Sequence, residues 1–352
     1  MTTPLYLGVD FHPRSQVVSW VNPGTGETET VRLRHEDVAV VRAFYQQVGG
    51  PATVIGLEAS SCSLWFERLV EGLGYTVWHG DTIKIRRQIG ERRKNDASDS
   101  RGILALLQQE RFPRVWRREP AAVDALTLLR LRHQLVKMRT MARNGLKAVA
   151  FMVGRVKKQR LGVRQIASLQ AHTLGSAALD RKRDELAALE AYLSQRIAGL
   201  ETELEALAGT DPQVVRLRTH PGIGRLTALA LVHTLAPVER FQRSRQVVAY
   251  AGLEPRERSS GDRTGTGGIT KAGSRLLRFL LVEAAHTASR HDPELSRIFK
   301  QLGFRRGRPK AVTAIARRLL VRAWIMLRDG IDYAEFCRRG QQQRLERSRL
   351  AR

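Results

Sequence analysis

Cysteine is nearly missing from this chain. Cys62 and Cys337 are the only two, which excludes a disulfide framework and a zinc site built on several thiolates. A metal, if the chain uses one, must be held by oxygen. Long apolar runs are missing as well: no stretch of about 18 uninterrupted apolar residues occurs, which excludes a helical membrane span. The opening MTTPLYLGVDFHPR has no basic region leading into an apolar core, so no secretory leader is expected and a soluble cytoplasmic protein is. Aromatics are few, at 6% of residues, and acids are outnumbered, 34 against 60 bases, for a formal net charge of +26. A charge this lopsided calls for a polyanionic partner, and nucleic acid is favoured over a membrane surface. Lysine is scarce too, since fifty of the sixty bases are arginine, whose planar fork matches phosphate. Genome base composition accounts for the choice of arginine but not for the excess of charge.

The 352 residues allow two or three modules at roughly 100 to 200 residues each, and a 42% hydrophobic content is enough to bury their cores. The first hundred residues read as a small α/β domain. An apolar strand over Leu5 to Val9 runs into Asp10, and a hairpin of alternating residues, Gln16 to Asn22 and Thr28 to Arg34, folds about Pro23-Gly24-Thr25-Gly26. A helix fits Glu36 to Val48, a strand Thr53 to Leu57 ending at Glu58, a helix Leu64 to Leu73, and a strand Tyr75 to Trp78 before the basic stretch Lys84 to Lys94. That order of elements is shared by the RNase H-like nucleases, though other α/β domains contain pieces of it.

Beyond Pro113 and Pro120 the pattern turns to long helices, Ala121 to about Val153 and Ser176 to Ala208. In the second, Leu179, Leu186, Leu193, Leu200 and Leu207 recur every seven residues, with Ile197 and Leu204 at the intermediate positions and Arg183 and Glu190 at the earlier ones. A coiled-coil arm or a helical hairpin within the chain is expected. A mostly helical region follows from about Asp211, and the basic tail from Gln341 is expected to order poorly except on a polyanion. The expected division is therefore 1–112, 113–210, 211–340 and 341–352.

Four carboxylates stand out in the first domain. Asp10 and Glu58 leave the ends of two strands, while Asp96 and Asp99 sit three apart on one face of a helix expected over Asn95 to Gln108. Crowded acids repel unless a cation lies among them, and oxygen ligands select Mg2+ or Mn2+. Each acid alone has a plainer reading: a strand-ending turn for Asp10, a helix cap for Glu58, and exposed ion pairs with Arg92, Arg93 or Arg101 for the other two.

In the second half, Leu217 to Ala228 carries His220-Pro221-Gly222-Ile223-Gly224-Arg225, which resembles a helix-hairpin-helix turn. In such a turn Gly222 and Gly224 let backbone amides meet a phosphate without reading base sequence, and Arg225 adds charge. A plain glycine connection between helices fits the same letters. Farther on, Ser259-Ser260-Gly261 lies in a basic, glycine-rich loop, with Lys271, Arg275 and Arg278 following at helical spacing to hold phosphates. Ser260 is a candidate nucleophile without an obvious base, and a serine in such a loop also serves as a turn residue.

Taken in order, Gly8-Val9-Asp10, Leu57-Glu58-Ala59, Lys94-Asn95-Asp96-Ala97-Ser98-Asp99, the Pro-Gly-Ile-Gly turn, and the series Gly-Leu-Glu-Pro, Ser-Ser-Gly and Ile-Thr-Lys-Ala-Gly resemble one family across nearly the whole chain. It is the DEDD transposases of insertion sequences, the bridge-RNA-guided serine recombinases. The resemblance implies an RNase H-like, RuvC-like N-terminal domain with Asp10, Glu58, Asp96 and Asp99 as an Mg2+ tetrad. It also implies a helical coiled-coil insert and a mostly α C-terminal transposase domain with Ser260 as nucleophile. Ser259 beside it leaves that assignment open by one residue. The implied partners are double-stranded target and donor DNA, a structured noncoding guide RNA, and copies of the chain forming a dimer and then a tetramer, in a bacterial, nucleoid-associated setting. Ser60 and Ser61 after Glu58-Ala59, and Ser100 after Asp99, depart from the family's usual residues without touching the tetrad. Two other readings fit the acids and the charge less fully: a RuvC-like junction-resolving endonuclease that activates water, and a non-catalytic nucleic-acid-binding protein.

Overall fold

The computed structural model describes residues 4–59, 62–90, 96–154, 162–260 and 263–350, without the side chains of 96, 257–260, 263–266, 345 and 347–350. Ser60, Ser61, Lys94, Asn95 and Gly261 therefore lie outside the described residues. The chain divides into two compact units, 1–117 and 118–352.

The first unit is a five-stranded sheet. Strands β1 (Leu5–Phe11), β2 (Ser15–Val21) and β3 (Thr28–Arg34) precede α1 (Val38–Val48), β4 (Thr53–Glu58), α2 (Leu64–Glu71), β5 (Thr76–Gly80), α3 (Thr82–Ile89) and α4 (Asp96–Gln108). The sheet order is β3-β2-β1-β4-β5, antiparallel across the first three strands and parallel from β1 to β5. Alternation along β1 assigns its two faces. Leu7 and Val9 join Ile55, Leu57, Val41, Tyr45 and Phe66 in a core under α1 and α2, which leaves Tyr6, Gly8 and Asp10 on the side of α4.

That second face is made unusually low by a row of small residues. Thr30, Ser19, Gly8 and Gly56 are successive register partners across β3, β2, β1 and β4. A Cβ on Gly8 would lie 2.3 Å from the Ser100 carbonyl oxygen and 2.5 Å from the Leu104 nitrogen, and one on Gly56 would lie 2.7 Å from a Leu107 methyl. Helix α4 thus rests on bare strand backbone. Ser100, fully buried, hydrogen-bonds to Ser19 Oγ at 2.8 Å, with Thr30 Oγ1 a further 3.0 Å on, so the serine at this position gives α4 a polar anchor in the floor of the sheet. Because both atoms that would meet a Gly8 methyl are backbone, Gly8→Ala should cost about 3 kcal/mol, at the upper end of overpacking penalties. Chemical unfolding of the variant, beside Gly209→Ala in open space, measures it.

The basic stretch after β5 begins as a helix, α3, capped by Asp81, whose carboxylate accepts from the Ile83 and Lys84 amides at 3.0 Å each; residues 91–95 lie outside the described residues.

In the second unit α5 (Pro120–Met152), α6 (Val163–Gln170) and α7 (Ala177–Thr210) lead to α8 (Pro212–Arg218), α9 (Arg225–Leu235) and α10 (Ser244–Tyr250). A two-stranded ribbon, β6 (Pro255–Ser260) and β7 (Arg263–Ile269), is followed by α11 (Arg275–His291), α12 (Pro293–Arg306), α13 (Arg308–Arg328) and α14 (Tyr333–Leu350). Leu126, Leu129, Leu204 and Ala208 of the long helices share one core with α8 to α13. Helices α5 and α7 pack on each other as a helical hairpin. The buried seam of α7 runs through Arg183, Ala187, Glu190, Leu193, Ile197, Leu204 and Ala208, so of the heptad leucines only Leu193 is fully covered and Leu207 is exposed. The two charges in that seam are both answered: Arg143 Nε of α5 donates to Glu190 at 2.8 Å, and Arg183 pairs with Asp180 and Asp184 of α7 itself; beside the seam, Arg132 Nε donates to Glu201 at 3.1 Å. The tail is helical through Leu350, its start fastened by Glu335, whose carboxyl the Arg338 and Arg339 guanidiniums hold at about 2. Among the described residues no helix is long and apolar enough to cross a membrane.

Candidate active site

Asp10 and Glu58 follow Gly8 and Gly56 by two residues, so both fall on the α4 face at the C-terminal rim of adjacent parallel strands. The seating of α4 brings Asp99, in its first turn, within charge range of Glu58 at that rim. Three of the four sequence-predicted acids are thereby brought within electrostatic reach. Burial raises the Glu58 carboxyl above its ordinary value of 4.5. Arg86 counters this, the charge of Asp10 adds to it, a hydrogen bond from Thr82 counters it, and Asp99 adds again. Asp10 is in turn met by the His12 ring, Nε2 to Oδ2 at 3.2 Å. Arg86 of α3 reaches Glu58 at 3.9 Å. The sequence reading missed both His12 and Arg86. For Arg86 the signal was available in Asp81, a cap one residue beyond a strand, which starts the helix that delivers it.

The donor set suits a hard divalent cation, being all carboxylate and mutually repulsive. Among the described residues no three acids, histidines or cysteines are drawn together tightly enough to cage an ion, and the Asp96 side chain lies outside that description.

In the second unit the glycine-rich stretch, expected as a flexible loop, is the β6-β7 ribbon. Ser259 pairs with Thr264 and Ser260 with Arg263, which places both serines at the tip. The base is locked by two left-handed glycines: a Cβ on Gly252 would lie 2.1 Å from the Ala272 carbonyl oxygen, and one on Gly273 2.1 Å from that of Tyr250. Arg278 donates to the Ala251 carbonyl at 3.2 Å and to that of Ala272, so this guanidinium clamps the ribbon to α11. Lys271 and Arg275 are exposed near the ribbon's base.

The Pro-Gly-Ile-Gly turn connects α8 to α9. The room left by Gly222 is filled by α11, for a Cβ there would lie 2.6 Å from the Ala288 nitrogen, whereas Gly224 faces open space at the start of α9. Arg225 pairs with Glu205 at 2.7 Å. Beside the turn, burial drives the His220 imidazole down to about 4, and its neighbour Arg322 bonds Asp292 and Glu294. Burial pushes the Asp292 carboxyl upward, but Tyr333, the Leu295 amide and Arg322 together hold it below the usual range. This interior network fixes α12, α13 and α14 around the turn.

Comparison with known proteins places this region. Residues 214–300, from α8 through the turn, the ribbon and α11 into α12, match the family described as Transposase IS116/IS110/IS902. The transposase for insertion sequence element IS1111A of Coxiella burnetii is 31% identical over 244 residues, 66% of this chain and 66% of that protein. The chain is a member of this transposase family. Two further relatives of the IS116/IS110/IS902 member extend the match. A probable family 20 transposase of Pseudomonas aeruginosa is 29% identical over 277 residues, 73% of this chain and 79% of its own length. A putative transposase, y4pF/y4sB, of Sinorhizobium fredii is 28% identical over 298 residues, 81% of this chain and 75% of that one.

Proposed function

We propose that this chain moves an insertion sequence by cutting and rejoining DNA, with Ser260 as nucleophile and Asp10, Glu58, Asp96 and Asp99 as the ligands of Mg2+, for which Mn2+ can substitute. The observation that carries the reading is the seating of α4 on Gly8 and Gly56, which gathers Asp10, Glu58 and Asp99 on one face of one sheet rim. Ser260 Oγ attacks a backbone phosphorus, the bond from phosphorus to one deoxyribose oxygen breaks, and that oxygen takes up a proton as a free strand end. Attack by another strand's hydroxyl on the phosphoserine then restores the serine and reseals the backbone, conserving the phosphodiester bond energy. Metal bound at the acids supplies polarisation of the phosphate and neutralises charge on the departing oxygen. The acids and the serine belong to different units of the chain, and the proposed reading has them act on one phosphate across copies assembled on DNA.

Sequence choice falls, on this reading, to a structured noncoding RNA pairing with target and donor DNA. The chain then needs mainly shape and backbone contacts, in keeping with fifty arginines and few aromatics. Incubation of the protein with Mg2+, its guide RNA and end-labelled duplex carrying the element's junctions should yield a denaturant-resistant protein–DNA adduct. Peptide mapping should then find the nucleotide on Ser260. Cleavage without any adduct would instead make this a junction-resolving endonuclease that activates water. Binding without cleavage would make it an architectural protein.

A further inference from the structure

The acids of the second unit are unevenly placed. Between Glu294 and Asp329 there is none, against ten lysines and arginines. Elsewhere in the unit several arginines are paired with acids, as Arg132, Arg143, Arg183 and Arg225 are, and within this stretch Arg322 and Arg328 are too. At the knuckle joining α12 to α13, by contrast, Arg297, Lys300, Arg305, Arg306, Arg308 and Lys310 are all exposed. Two cations in the last turn of α12 would satisfy the helix dipole. The rest exceed that need.

In the middle of this charge stands Phe304, 96% exposed. It belongs to one stripe with Arg297 and Lys300, seven and four residues before it on α12. Gly303, beside it, faces open space, and Gly307, with φ of +81°, turns the chain sharply into α13. The ring is therefore unobstructed on its own knuckle. Alongside lies a recess of about 590 Å3 lined by His286, Ser289, Arg290, Lys300, Arg308 and Val312, a basic hollow of a size for a phosphate and its sugar. A bare aromatic ring flanked by phosphate-holding cations is the arrangement by which proteins unstack a base step and bend a duplex.

We infer that the α12-α13 knuckle is a DNA wedge: Phe304 inserts between base pairs of duplex DNA while Lys300, Arg308 and Arg290 hold the adjoining phosphates. The inference rests on the reading that this transposase handles DNA, but it does not depend on which group is the nucleophile. The ring touches no catalytic residue, and its substitution leaves the fold intact because nothing packs on it.

The test uses the full chain in the Ser260→Ala background, without divalent metal, on relaxed closed-circular plasmid with a metal-independent type I topoisomerase. Insertion of a ring unwinds the duplex, so bound protein should leave the deproteinised plasmid negatively supercoiled. Phe304→Ala should abolish that change in linking number at equal occupancy and weaken plasmid binding by about tenfold, the scale of one lost stacking contact. Phe304→Trp should retain both. Lys300→Ala with Arg308→Ala should lower affinity most at low salt and flatten the salt dependence. Unwinding by Phe304→Ala equal to that of the parent overturns the wedge. So does a parent that never alters linking number, and so does a Phe304→Ala effect confined to the size of the protein oligomer or to binding of folded RNA. Strand cutting, if it persists without Ser260, shows separately as nicked circles, so failure of the nucleophile assignment cannot be confused with failure of the wedge.

Discussion

Replacing Ser260 by alanine should abolish strand cleavage, by more than about ten-thousandfold, because loss of a covalent nucleophile leaves only binding and charge stabilisation. DNA affinity should be unchanged. The prediction is sharpened by the ribbon. Ser259 and Ser260 are neighbours on one strand, paired with Thr264 and Arg263, and neighbouring strand positions fall on opposite faces. Only one of them can face a given phosphate, so Ser259→Ala should cut and rejoin at close to the parent rate. Single-turnover cleavage of labelled duplex, with denaturing electrophoresis to count adducts, measures both variants. Should Ser259→Ala be the dead one, the nucleophile moves by a residue and the chemistry stands. If both cut, water is the nucleophile and the serines serve only the ribbon.

The N-terminal unit was largely legible from its letters because its strands are short apolar runs, buried on both faces in β1, β2 and β4 and bounded by turn residues, and the acids fall where those runs stop. The seating of α4 was legible only in part. Gly8 and Gly56 are visible in the sequence, but that they are register partners under one helix follows from pairing across forty-eight residues of chain, which no local pattern encodes. The same blindness explains the Pro-Gly-Ile-Gly turn. A glycine signals close approach of something, and sequence cannot say whether that is a phosphate or, as at Gly222, the backbone of α11. The α7 seam was legible at its intermediate positions, Arg183, Glu190, Ile197 and Leu204, which are all covered, but not at the heptad leucines, of which only Leu193 is. Apolar periodicity finds leucines, yet the covered positions include Arg183 and Glu190, neutralised by Asp180, Asp184 and Arg143 in ways that hydropathy does not register. The ribbon was read as a loop because arginine, threonine and glycine carry no apolar alternation, while its pairing is set from its base by Gly252 and Gly273.

Glu58→Gln should do two opposite things. In the absence of divalent ions it should stabilise the protein. The folded carboxyl titrates above its ordinary 4.5, chiefly through burial, with Asp10 and Asp99 adding to the shift. A carboxyl raised by folding binds its proton more tightly in the native state, so its stabilising contribution is full below the unfolded value and is lost as pH rises through the folded one. At neutral pH the parent therefore bears a penalty that the amide lacks, and the difference between the two should fade as pH falls below about 4.5. Mg2+ should reverse the ranking. Binding to the native state alone raises stability in proportion to the logarithm of ion concentration over its dissociation constant, and the parent, with its full set of carboxylates, gains more than the variant. Cleavage by Glu58→Gln should fall by about a hundredfold or more, the scale of losing one preorganised electrostatic contact to the transition state. Thermal unfolding with and without Mg2+, across pH 4 to 8, separates the two effects. A parent whose melting temperature responds to Mg2+ no more than the variant's would show that the acids hold no metal. A variant less stable than the parent without ions would show that Glu58 is bound into the fold through Arg86 rather than crowded against it.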